Sequence, residues 1–231
     1  MKNFSKILIV LSIVSFGQLI AQESEKLQVM YPAWYFPSKN TVVYGLSFGK
    51  YNFKNCANQK TNGIRLSLIG TGALFFIFPV NIDMTESRYN NKMEENLYDV
   101  INGINISLTG TILHCKIIGL SLGALSGHHT EMNGLMIHLN NHVDVLKGWQ
   151  VGMYNTNYKS IGIQSSILRN STSILIGLQF GLINTSKFSK GIQIGIFNRS
   201  NEFFKGIQLG FWNSNSKRSL PLINWNFSKD N

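Results

Sequence analysis

The side chains with most to offer chemically gather between positions 114 and 144, where His114, Cys115, His128, His129, His138 and His142 are joined by Glu131 and Asp144. Imidazole nitrogen, thiolate sulfur and carboxylate oxygen are the donors that Zn2+ and related ions take. His138 and His142 are four apart, a spacing that shares one face of a helix. On a strand of the repeat described below, however, His138 takes a non-core position and His142 falls in a turn. The spacing therefore does not imply convergence on one ion. Ordinary surface or turn roles are expected for these histidines, with no metal bound.

Other reactive patterns are missing. Serine is frequent, yet there is no G-x-S-x-G elbow, and Ser67, Ser107 and Ser166 simply stand where the repeat elsewhere has glycine. The few acids lie mainly in an insert and in turns, so a working pair of carboxylates is hard to place. No glycine loop runs into a Lys-Ser or Lys-Thr pair and a helix, as a phosphate cradle would. The chain is expected to be no enzyme and to need no cofactor. Cys56 and Cys115 form at most one disulfide, which is no framework, and the sequence leaves that bond open.

Any site must be positioned by copies of one short phrase. GIQIGIFNRSNEFFKGIQLGFWN, residues 191–213, nearly says the same thing twice. Further copies start at Gly177, Gly162, Gly148, Gly134 and Gly119, spaced 14 or 15 residues apart, and weaker ones at Gly103, Gly63 and Gly45, making ten units. Slots two, four and six are apolar, as in Ile192, Ile194 and Ile196. Slots one, three and five hold Gly177, Gln179 and Gly181, then Gly191, Gln193 and Gly195, then Gly206, Gln208 and Gly210. Alternation of period two is a β-strand with one apolar face and one face of small or amide residues. Slot eight is Asn184, Asn198 or Asn213, an asparagine of turn type. The Asn-x-Ser/Thr triplets, such as Asn184-Thr185-Ser186, are accordingly read as turn chemistry and not as glycan acceptors.

Two architectures satisfy a strand plus a turn. In an up-and-down barrel alternate strands reverse, so the natural repeat is a hairpin of about 30 residues; here every strand looks alike. A parallel β-solenoid makes all coils equivalent and aligns Gln and Asn in ladders, and it is the expected all-β fold. A small outer-membrane β-barrel acting as pore or anchor is the alternative, favoured by the closing LPLINWNF, in which Ile223, Trp225 and Phe227 share a face. The apolar face is expected to form the core. Burying three aliphatics contributes roughly 5 to 9 kcal/mol per unit, less than the backbone entropy of ordering about 15 residues. One unit cannot fold alone.

The domain reading is a signal peptide over residues 1–21, with Lys2 and Lys6 ahead of an apolar stretch and Ala21 at the cleavage point, then one repeat domain over 22–231. An insert at 71–102 breaks the array. Within it, Tyr89, Met93, Leu97, Val100 and Ile101 recur at helical spacing, which predicts a short amphipathic helix over 86–101 covering an edge or face of the sheet. The net charge of +10 suits anionic surfaces, while the absence of a basic stripe makes nucleic acid a poor partner. Tyr154, Phe197 and Trp212 in slot seven are the candidate binding aromatics, able to stack on sugar rings or a partner.

At GLQFGLIN, GIQIGIFN and GIQLGFWN, closed by LPLINWNF, the sequence resembles exported bacterial surface-repeat proteins built from G-[LIV]-Q-[LIV]-G-[LIV]-x-N units. The resemblance is specific over about residues 148–227. It implies an exported protein of the cell envelope, at the outer membrane or cell surface or else in the periplasm, and lends no catalytic residue. The expected function is a non-enzymatic structural or interaction role, presenting the repeat surface to an envelope partner, a glycan or a lipid headgroup, with membrane association possible.

Overall fold

A computed structural model describes residues 27–35, 40–49, 58–67, 99–110 and 115–227. They form eleven strands: β1 (Gln28–Met30), β2 (Ala33–Tyr35), β3 (Thr41–Phe48), β4 (Lys60–Ser67), β5 (Asp99–Ser107), β6 (Cys115–Gly123), β7 (Ser126–Ile137), β8 (Asn140–Phe180), β9 (Ile183–Ile194), β10 (Phe197–Ser214) and β11 (Ser219–Asn226). β1 and β2 both pair with β3, and from there each strand pairs with the next. Every pairing is parallel except the last, β10 with β11. The chain is thus a β-solenoid of about nine turns. An up-and-down barrel would need antiparallel neighbours throughout, so the barrel alternative is overturned.

Register is glycine on glycine. Gly45 pairs with Gly63, Gly63 with Gly103, Gly103 with Gly119, Gly119 with Gly134 and Gly134 with Gly148; further on, Gly177 pairs with Gly191 and Gly191 with Gly206. The long β8 carries Gly148, Gly162 and Gly177 through successive coils. All ten have positive φ, between 117° and 153°, and a Cβ on each from Gly63 onward would run into the carbonyl oxygen of the glycine before it. Slot one is therefore the place where the backbone turns in a way that L side chains resist and where coils approach too closely for any side chain. The small-residue column seen in the sequence is a steric requirement.

The two faces of the strand are the reverse of the expected assignment. Slots three and eight point inward: Gln150, Gln164, Gln179, Gln193 and Gln208 are fully buried, as are the asparagines at 155, 170, 184, 198 and 213. The aliphatics of slots two, four and six point out. The reason is the small circumference of the coil. Across the lumen Gln193 Nε2 lies 3.3 Å from Ser186 Oγ, seven residues away, and Gln208 Nε2 donates to Ser214 O at 3.0 Å, six residues away. Opposite walls that close leave room for the amides and a further side chain such as Leu175, Ser189 or Phe204, but not for three more aliphatics per coil. The aliphatics instead stack row on row along the outside, each half covered by its in-register neighbours.

Buried amides are costly unless hydrogen-bonded. The repeat supplies partners from Gln164 and Asn141 onward, although both polar atoms of Gln150 lack one among the described residues. Asn141, Asn155, Asn170, Asn184 and Asn198 each donate from Nδ2 to the Oδ1 of the next asparagine, ending on Asn213, at 2.7–2.9 Å. Gln208, Gln193 and Gln179 donate the opposite way, each from Nε2 to the Oε1 of the glutamine before it, at 2.7–2.8 Å. β11 closes the end: Asn224 Nδ2 reaches Gln208 Oε1 at 3.2 Å. Toward the N-terminal side the interior turns apolar, with Ile101, Cys115, Ile117, Met132, Met136, Val143 and Leu146 forming one cluster. Four of these, Ile101, Ile117, Met132 and Leu146, lie two residues before a column glycine.

The signal-peptide reading lies outside the described residues, as do residues 71–98 of the insert. Residues 99–101, expected to end a helix, open β5 instead. Val100 pairs with Lys60 and Ile101 with Thr61, and Ile101 is a core residue, so strand pairing takes precedence over the helical spacing that included it. No helix occurs among the described residues.

Candidate functional site

Three places among the described residues gather functional groups. The first is the interior of β5 to β8. β6 and β7 bring Cys115 and His129 to facing inward positions, Sγ 3.3 Å from Nδ1, while His129 Nε2 lies 3.1 Å from Ser121 Oγ. Asn105 donates to the same serine at 3.2 Å. His138, in slot five of its coil, has Nδ1 3.2 Å from Asn141 Oδ1; because that oxygen can only accept, Nδ1 carries the proton. Burial is the main cause that holds the His129 imidazole well below its ordinary pKa, with His138 and Arg65 adding to it. Burial likewise takes His138 down to about 4, against a smaller opposing effect of the Asn141 hydrogen bond. A thiol beside an imidazole is the arrangement of a cysteine nucleophile. Here both groups are fully buried, so the contact satisfies polar atoms inside a packed coil. Cys56 lies outside the described residues, and the Cys56–Cys115 disulfide that the sequence left open stays so.

The second place is outside the same coils. His128 pairs in register with His142, their rings edge to face with centroids 4.5 Å apart, and Asp144 follows two residues along β8. One ligand atom from each of the three lies within 4.8 Å of the others. The expectation of scattered surface or turn histidines is corrected: His128, His129 and His138 are buried, and the pair that meets is His128 with His142, not His138 with His142. Spacing along the chain hid this because the relevant separation is one coil, 14 residues. His114 lies outside the described residues. Glu131 is held between Lys116 at 3.0 Å and Lys147 at 3.1 Å, whose hydrogen bonds and charges outweigh burial and bring its pKa down.

The third place is the outer wall made by slots two, four and six. Slot two stacks Trp149, Ile163, Leu178, Ile192 and Ile207, and β11 adds Trp225 opposite Ile207. Phe211 is 69% exposed and Leu222 71%. Gly181, Gly195 and Gly210 form the floor of a groove of about 510 Å3, with Phe180, Ile194 and Leu209 on one side and Ile167, Leu182 and Ile196 on the other. The repeat residues named from the sequence thus divide by role: Gln179, Gln193, Gln208, Asn184, Asn198 and Asn213 are interior ladders, Gly177, Gly191 and Gly206 the turning column, and Gly181, Gly195 and Gly210 the groove floor. Of the slot-seven aromatics, Tyr154, Phe197 and Trp212 are each about half exposed, but Arg169 and Ile183 stand between Tyr154 and Phe197 in the stack, so they form no continuous stripe.

No family model, curated protein or solved structure matches this chain. The returning wall differs in character from the apolar one: Lys187, Lys190, Arg199 and Lys205 lie on it, Lys190 in register with Lys205. Ile176 and Phe188 also stand exposed on this wall, Ile176 in register with Lys190, so it is mixed basic and apolar where the other is apolar.

Proposed function

We propose that this protein is a non-enzymatic interaction protein of the cell envelope that lays its apolar wall on a lipid surface. The observation that carries this reading is the inversion of the coil, with amides inside and aliphatic rows outside. Scattered exposed hydrophobes need no explanation, but the slot-two and slot-six rows run from Gly148 to Gly206 with only Ser165 interrupting slot four between them, and such rows mark a surface that something apolar covers. A narrow groove with a glycine floor and aliphatic sides fits an acyl chain. Paired walls lie about 10 Å apart, so a wall seated at the acyl boundary places the lysines of the other wall near headgroup phosphates, as in an interfacial amphipathic helix. The excess of Lys and Arg over Asp and Glu supports the same orientation toward anionic lipid.

Flotation with vesicles of phosphatidylethanolamine and phosphatidylglycerol tests it. The protein is expected to float with the vesicles, to resist high salt and to be released by detergent. Ile196→Asp with Phe211→Asp, both on the exposed wall, is expected to abolish flotation while leaving the β-type circular dichroism intact. A wild-type protein that stays monodisperse in the vesicle-free fraction sinks the proposal.

A further inference from the structure

We propose that His128, His142 and Asp144 form a Zn2+-type metal site that staples two consecutive coils together. His128 and His142 occupy the same position of successive coils, and Asp144 lies on the same side of its strand as His142 because residues two apart share a face. Their donor atoms are within 4.8 Å of one another. A tetrahedral ion with bonds of about 2.0–2.2 Å needs its donors roughly 3.3 Å apart, which side-chain rotations on the order of 1 Å supply.

The composition of the set selects the ion. Two imidazole nitrogens and one carboxylate oxygen suit Zn2+ with water in the fourth position, whereas Mg2+ and Ca2+ take oxygen donors almost exclusively. Burial supports the assignment too. Asp144 is 2% exposed and His128 8%, so the carboxylate is held out of water beside the two rings, while the partly exposed His142 leaves a way in for the ion. Of the neighbouring donors, Glu131 is paired with Lys116 and Lys147, and His129 and His138 face the lumen, away from this set.

The test uses purified protein stripped with a chelator and titrated with Zn2+, with Co2+ as an absorbing substitute. One ion per chain is expected to bind, with tetrahedral Co2+ bands in the visible range and a rise in thermal midpoint that Mg2+ and Ca2+ do not give. His142→Gln and Asp144→Asn are each expected to weaken Zn2+ binding more than about tenfold. Glu131→Gln is expected to leave it unchanged, since that carboxylate is no ligand. Absence of saturable Zn2+ binding by the folded wild type overturns the site, and so does equal binding by His142→Gln and Asp144→Asn.

Discussion

Two neutral imidazoles packed inside the coils, His129 and His138, make the molecule sensitive to acid. His138 ionises near its ordinary 6.5 when unfolded but only at about 4 when folded. Between those values the unfolded chain binds the extra proton, so the histidine's contribution is fully present above pH 6.5 and is lost as pH falls toward 4. The loss should approach about 3 kcal/mol. Urea denaturation of the wild type and of His138→Gln checks it: the wild type is expected to lose stability across that window, and the variant to lose measurably less. An identical pH profile for both would contradict the assignment. Little of this was legible beforehand, because slot five marks His138 as lying off the aliphatic face without saying that the other face is the buried one.

At the level of the strand and its turn, the column glycines are the most demanding positions. Gly162 has φ of 133°, and a Cβ there would collide with the Gly148 carbonyl oxygen. Gly162→Ala is expected to cost at least about 3 kcal/mol, from backbone strain together with separation of the coils. Ser165→Ala, on the outside of the same coil, should cost under about 1 kcal/mol. Thermal unfolding of the two variants compares them. Strand, turn and unit length were all readable from the repeat, and so were the amide ladders, because identical residues at a fixed period must stack once the coils are parallel. What period two cannot give is which face lies inside. Ile192 and Gln193 alternate identically either way, and only the narrow lumen, set by how soon the chain turns at Asn198 and again before Gly206, decides for the amide. The helix read over 86–101 fails at its described end for a related reason: Ile101 fits a helical stripe and an inward strand position equally well, and pairing with β4 settles it.

For the whole molecule, the two ends are not alike. The first coil is met by the short β1 and β2, whereas the last is covered along its length by the reversed β11, which also fills the lumen with Asn224. An exposed parallel edge is a template for another chain. Removal of residues from Ser219 onward is therefore expected to convert the protein into larger species by end-to-end association. Sedimentation velocity reads this directly, and a truncated chain that stays at the wild-type size would show that the reversed strand is dispensable. The opposed ladders have a different consequence. The asparagine amides of the ladder from Asn141 to Asn198 point an N–H toward the C-terminal end, and the bonded glutamine amides point theirs toward the N-terminal end. Between the coils of Gly162 and Gly206 three asparagine bonds oppose three glutamine bonds, so side-chain dipoles that would add up along a helix offset one another there, and parallel strands contribute little net dipole of their own. Over that stretch the rod accumulates little field as it grows, so coils can be inserted or lost without charging its tips, and its length is free to drift by whole repeats.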